Sequence, residues 1–384
     1  MHNMKKFHLL LIALFIGFNV YSQAIYKTID SYKLEGTREL KIQLPRNYNP
    51  EEKRTYPLII VLDGDYLFEP VAGNIDYQSY WEDIPDCIVV GINQADTRVD
   101  DFYYDDESYF PSHNGASFYE FMAAELLPFI EENYNASNFR IIVGHDLSAN
   151  FINYYLFKDD PIFRAYVALS PDFAPEMTNR LQQRLSILQK EMFYYMATAD
   201  ADIKAVRASV VEGHSVLSAI ENKNFLYKFD DFEDANHYSL VGRGIPKALN
   251  QIFTPFKPIN AKEYSEKVLT FEGSPYDYLI KKYEDIEHFY GFEKTLIEND
   301  IRAIAAASNK KDDLESLQKL SKLVSKNFPK SMLSAYYSGM INEKEGNLKR
   351  ALQRYKSGLL LEPSQYIDKE MMLDKMYEIQ DKMK

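Results

Sequence analysis

Gly144-His145-Asp146-Leu147-Ser148-Ala149 stands directly after the apolar run Arg140-Ile141-Ile142-Val143 and opens the helical stretch that ends at Phe157. A short strand, a sharp turn and a helix, in that order, make the corner on which a G-x-S-x-G motif presents its nucleophile. Glycine flanks such a corner because the turn is tight and the central residue is strained. The side chain there projects at a helix N-terminus, whose backbone N–H groups can hold an oxyanion. Two positions depart from the motif: Asp146 stands where serine is expected, and Ser148 stands where the second glycine is expected. Serine is small, so the turn survives sterically.

A carboxylate at that corner changes the chemistry. A serine alkoxide attacks an ester carbonyl and gives a stable acyl-enzyme, whereas a carboxylate would give a mixed anhydride and is a weak nucleophile toward carbonyls. Its charge would also sit beside the oxyanion site, and two like charges a few ångströms apart cost several kcal/mol when poorly solvated. Ordinary ester hydrolysis is therefore expected to be severely impaired. Displacement at an alkyl carbon remains open to a carboxylate. Dehalogenases and epoxide hydrolases look similar at this one motif, but Asp63-Gly64-Asp65-Tyr66 stands where their His-Gly-x-Pro turn is found. Only about twenty residues follow Ser170 before the next strand, too few for their helical cap. Tyr103, Tyr104 and Tyr109 could polarise an epoxide, although tyrosine is abundant throughout, at 30 residues.

The elements that must position this corner are legible as apolar runs. Leu40, Ile42 and Leu44 alternate as an edge strand. Pro57 to Leu62 and Cys87 to Ile92 are solid apolar runs that read as buried central strands. Ala165 to Leu169, Met192 to Met196 and Phe225 to Phe229 continue the series, and Ala116 to Tyr134 and Ser239 to Phe253 have helical spacing, the first bent at Pro128. Strands alternating with helices imply an α/β fold, a largely parallel sheet with helices on both faces. In such sheets chemistry gathers at the C-terminal ends of the strands.

Six segments together resemble the esterase family of α/β-hydrolases that includes feruloyl and siderophore esterases. They are Leu62-Asp63-Gly64-Asp65-Tyr66-Leu67-Phe68, Val90-Gly91-Ile92, Glu125-Leu126-Leu127-Pro128-Phe129-Ile130, Gly144-His145 with Leu147, Leu169-Ser170-Pro171, and Asn236-His237. The resemblance covers roughly residues 35–256. It implies the α/β-hydrolase fold, a nucleophile slot at Asp146, oxyanion donors from the Leu147 backbone and from the Gly64-Asp65 turn, His237 as base and Asp200 as its orienting acid, with Asp202 the near alternative. A third outcome then arises: Asp146 pairing with protonated His237, in a pocket kept for binding. Gly213-His214-Ser215 mimics the motif but lacks its second glycine and a preceding buried strand, so Ser215 reads as a helix N-cap.

The rest of the chain sets the context. Lys5 and Lys6 precede an apolar run from Leu9 to Val20 and then Ser22, the pattern of a signal peptide over residues 1–22 and of a bacterial periplasmic or secreted protein. No later segment is long and apolar enough to suggest a transmembrane helix. A formal net charge of -13 argues against a nucleic-acid partner. Cys87, the single cysteine, reads as a small core residue, so no internal disulfide can form. The seven histidines show no metal-ligand spacing, His113 and Asp106 are isolated, and no cofactor motif occurs, so neither metal nor cofactor is expected. The sequence divides into an esterase-like domain over 23–258, a helical linker over 259–295 and helices over 296–384. Within the last, Ala335, Tyr336, Gly339, Gly346-Asn347, Ala351, Tyr355, Leu359 and Glu362-Pro363 resemble one tetratricopeptide repeat. The expected partners are a small ester-like molecule at the corner and a protein at the C-terminal helices.

Overall fold

The computed structural model describes residues 24–384, so the expected signal peptide lies outside the described residues. The chain divides into two compact units, one running up to Tyr77 and from Asp86 to Gln251, the other comprising Gln78–Pro85 and Ile252–Lys384.

The first unit is built on an eight-stranded sheet: β1 (Ile25–Ser31), β2 (Gly36–Gln43), β3 (Tyr56–Val61), β4 (Ile88–Ile92), β5 (Ala136–His145), β6 (Ala165–Leu169), β7 (Met192–Ala201) and β8 (Phe225–Asn236). Their spatial order is β1-β2-β4-β3-β5-β6-β7-β8. The pairs β1–β2 and β2–β4 are antiparallel, and every pair from β4 onward is parallel. β3, β4 and β6 are buried along their whole length, as solid apolar runs in a sheet covered on both faces must be.

Three local features differ from the periodicity. The helix expected over 116–134 is His113–Phe121 and Leu127–Asn133 joined by a π turn at Met122–Leu126. Pro128 lacks the N–H that would close a regular turn, and a π turn absorbs the mismatch. β7 and β8 run well beyond Met196 and Phe229, because polar residues at a sheet's end pair through their backbones as readily as apolar ones. The two strands stay in register to Ala199–Phe232, slip, and pair again at Ala201–Asn236. Ser215, read from sequence as an N-cap, lies in the last turn of the helix Lys204–Leu217; nothing in its local sequence shows that the helix begins eleven residues earlier.

The second unit is helical. Pro275–Tyr290 opens with a capping box at Ser274 and Asp277 and closes at Gly291, whose φ of 70° suits glycine. Glu298–Lys310, Leu314–Asn327, Met332–Lys344, Leu348–Gly358 and Lys369–Lys382 follow, sharing a core that includes Ile304, Leu320, Tyr337, Tyr355 and Met372. A Cβ on Gly339 would stand 2.5 Å from the Tyr355 ring, so close approach of these two helices requires the glycine. No helix among the described residues is long and apolar enough to cross a membrane.

Candidate active site

Three neighbouring strands end in the same way. Asp63 after β3, Asp146 after β5 and Ser170 after β6 have φ of 52°, 61° and 47°, a region that costs a non-glycine residue about 1–3 kcal/mol and is held only where its surroundings enforce it. At Asp146 the backbone (φ 61°, ψ -120°) passes from β5 into the helix Leu147–Phe151. Gly144 is required there, since a Cβ would stand 2.6 Å from the Ser148 backbone. The corner therefore has the shape of a nucleophile elbow, with a carboxylate at its tip.

Arg98, the first residue of the four-residue helix Arg98–Asp101 that follows β4, holds that carboxylate. Its Nε donates to Asp63 Oδ1 at 2.7 Å, and its Nη2 lies 3.3 Å from Asp146 Oδ2 and 3.2 Å from the His145 carbonyl. Asp63 is 1% exposed and also accepts from Ser148 Oγ at 2.6 Å. Ser148 is thus committed to Asp63 and to the His145 backbone, which is how a serine serves where the motif has glycine.

His237 follows β8, and its Nδ1 lies 2.7 Å from Asp202 Oδ1. Ser170 Oγ and Thr198 Oγ1 donate to the other oxygen of Asp202 at 2.6 and 2.7 Å. Burial pushes the Asp202 carboxyl up, but these hydrogen bonds from His237, Ser170 and Thr198 outweigh it and hold the group well below the usual carboxylate range. With Nδ1 turned to Asp202, Nε2 is the nitrogen left to accept a proton. The neighbouring ring of His145, at 4.5 Å between centroids, is engaged at both nitrogens. Nε2 meets the His237 carbonyl at 2.9 Å and Nδ1 meets the Tyr66 hydroxyl at 3.1 Å. Burial, with His237 beside it, lowers the His145 pKa, so this ring is a neutral spacer.

The sequence expectations are modified at three points. The carboxylate on His237 is Asp202, the near alternative, and not Asp200. Asp200 occupies the slip between β7 and β8, which turns its side chain outward to accept the N–H groups of Asp234 and Ala235 at 3.1 and 3.3 Å. Gly64 is not a free donor, because its N–H is spent on the Ile92 carbonyl at 2.7 Å. The Asp65 amide has no acceptor among the described residues, nor does that of Leu147, the first residue of its helix, where no intrahelical partner exists. Finally, Asp146 forms no ion pair with His237 within 4 Å; among the described residues its ion pair is with Arg98.

Arg98 and Tyr66 were missed by sequence reasoning. The signal for Arg98 was present: the turns after the strands carry Asp63, Asp65, Asp146, Asp172 and Asp202, and an acid-rich edge needs a cation. Asp172 lies beside Asp146, and partial burial together with that carboxylate raises its pKa. Among the described residues no group of three or more His, Cys, Asp or Glu side chains is placed to hold a metal ion.

Comparison with known proteins gives the wider setting. Residues 31–206 match the model of the family described as Putative esterase. A crystal structure of an uncharacterised protein from Capnocytophaga ochracea is similar over 94% of this chain and 100% of that one, at 30% identity and a TM-score of 0.79. An IroE-like serine hydrolase from Shewanella oneidensis (21% identity, TM-score 0.60) covers 78% of this chain and is itself covered over 98%. The siderophore hydrolase EstA from Aspergillus nidulans (14% identity, TM-score 0.52) covers 62% and is covered over 96%. These last two share the fold alone. None of the curated proteins matches the chain. The chain belongs to one family with the Capnocytophaga ochracea protein, and its first unit is an α/β-hydrolase fold that matches the esterase family over residues 31–206.

Proposed function

We propose that this is an exported esterase-descended protein whose corner residue Asp146 disables acyl transfer, leaving the strand ends as a binding site for a small ester-like molecule. The reading is carried by the Arg98–Asp146 ion pair. Acyl transfer requires the corner residue to pass a proton to His237 as it attacks. An ionised carboxylate held by a guanidinium has no proton to pass, and its charge opposes an oxyanion forming at the Leu147 and Asp65 amides. The lysines and apolar run before Ser22 support export to the periplasm, and the Gly339–Tyr355 contact supports a tetratricopeptide-like protein-docking role for the C-terminal helices.

The test is a panel of short-chain aryl esters on the full mature chain. Wild type should hydrolyse them at the uncatalysed rate, and Asp146→Ser should raise turnover at least about 100-fold, the scale that a base and oxyanion donors supply. Wild-type turnover abolished by Asp146→Ala would overturn the reading.

One observation favours a second reading. The His237–Asp202 hydrogen bond, at 2.7 Å, is the arrangement that activates a water. Displacement by Asp146 at an alkyl carbon would form an alkyl ester, which that water would cleave. His237→Gln would then accumulate the ester on incubation with alkyl halides, visible in the intact mass. An unchanged mass removes this alternative.

A further inference from the structure

A second concavity in the sheet unit shares no lining residue with the Asp146 corner. Its walls are the rings of Phe110, Tyr119, Tyr154 and Phe157, with Ala116 between them, and it encloses about 330 Å³, within the range of small-molecule sites. The rings are fixed by their neighbours. Phe110 lies 5.8 Å from both Tyr154 and Phe157, and Tyr119 stacks on Tyr155 at 4.4 Å. The Tyr154 hydroxyl is satisfied by the Tyr109 carbonyl at 2.9 Å, so this residue offers its face rather than its polar end. Flat faces set around one space favour a flat aromatic guest.

The charges around it select the sign of that guest. Two ionised side chains line the cavity, Glu120 and Lys158. Glu120 is taken up by Lys33 at 2.6 Å. Lys158 makes no ion pair within 4 Å among the described residues, although Glu120 lies within reach of its charge; its ammonium stands 5.6 Å from the Tyr119 ring centre. A second cation, Arg180, lies 4.6 Å over the Phe110 ring, also without a carboxylate partner, and its buried Nη1 has no hydrogen-bond acceptor. Two cations without a direct ion pair at one ring cluster stand out in a chain with a net charge of -13.

We propose that this cavity binds an aromatic anion, its ring system seated among Tyr119, Tyr154 and Phe157 and its anionic group at the Lys158 ammonium. The assignment is independent of what happens at Asp146.

The experiment titrates 2-naphthoate into the full mature chain by calorimetry, beside 2-naphthylmethylamine, the same rings with the opposite charge. Naphthoate should bind with a dissociation constant of roughly 100 µM, ordinary for a ligand of its size, and the amine at least about tenfold more weakly. Lys158→Gln, an exposed position where folding is not at stake, should weaken naphthoate about tenfold, the scale of one charge-assisted hydrogen bond. Ala116→Phe should abolish binding by filling the space. Equal affinity for the amine, or naphthoate affinity unchanged within twofold in Lys158→Gln, overturns the assignment.

Discussion

At the open end of the sheet, the corner after β5 and the paired ends of β7 and β8 follow opposite electrostatic plans. Asp202 and His237 make a neutralisable pair, a carboxylate and an imidazole joined at 2.7 Å and braced by two hydroxyls. At the corner, Asp63 and Asp146 share one guanidinium, two carboxylates on a single cation. Each half finds its hydrogen-bond partners without the other, and the corner keeps one more carboxylate than cations. On the proposed function, a base stands complete beside a corner that gives it nothing to deprotonate, and the geometry of His237 alone says nothing about activity. Which residue neutralises Asp146 decides the matter. Arg98 does so, and this leaves Nε2 of His237 uncommitted.

The largest effect should come from Asp63, on which the corner depends. Its carboxylate is buried and binds Arg98, Ser148 and the Tyr66 hydroxyl. Asp63→Ala strands the guanidinium with only the partly exposed Asp146, and removal of one partner of a buried pair costs about 3–5 kcal/mol. Urea unfolding of the full chain measures it, and a loss under about 1 kcal/mol would mean the corner is held together by backbone geometry instead.

At the other half the expected effect is smaller and depends on pH. A carboxyl whose folded-state pKa is depressed contributes stability that is present above its unfolded value, about 3.9, and is lost as pH falls toward the folded one. Wild type should therefore weaken below about pH 4. Asp202→Asn should cost about 1–3 kcal/mol at pH 7, for broken hydrogen bonds to a charged acceptor, and should show a shallower decline between about pH 4 and pH 2. An identical acid slope in both proteins would show that Asp202 does not hold the stability that its hydrogen bonds suggest.

The contrast between the halves also explains what could be read without coordinates. The corner was legible because Gly144, a short apolar strand and a helix are adjacent in sequence, and steric needs over six residues specify the turn. The central strands were legible for a similar reason, since Pro57 to Leu62 and Ala165 to Leu169 must be apolar on both faces. The choice of Asp202 over Asp200 was not legible. It depends on a slip between β7 and β8, strands separated by a helix, and both Asp200 and Asp202 read from sequence as part of one polar turn, where aspartate is common. Arg98 was hidden differently. It lies 48 positions before Asp146, in a four-residue helix with no pattern of its own, and only the excess of carboxylates around it calls for a cation.

The finest test isolates the Arg98–Asp146 contact itself. Both side chains are about a fifth exposed and their charged atoms lie 3.3 Å apart, a geometry in which the expected coupling is about 0.5–1 kcal/mol. Arg98→Met, Asp146→Asn and the double variant form the cycle. The loss of the Arg98–Asp63 bond occurs in both variants that lack Arg98 and cancels, which makes the small residual measurable beside the larger cost. The coupling should shrink in about 1 M salt, where screening acts within about 3 Å. A coupling indistinguishable from zero at low salt would mean that solvent rather than Arg98 screens Asp146, and would remove the ion pair on which the proposed function rests. A value near 1 kcal/mol would place the guanidinium as its counter-ion, and ester turnover gained by Asp146→Ser should then survive with Arg98 still bound to Asp63.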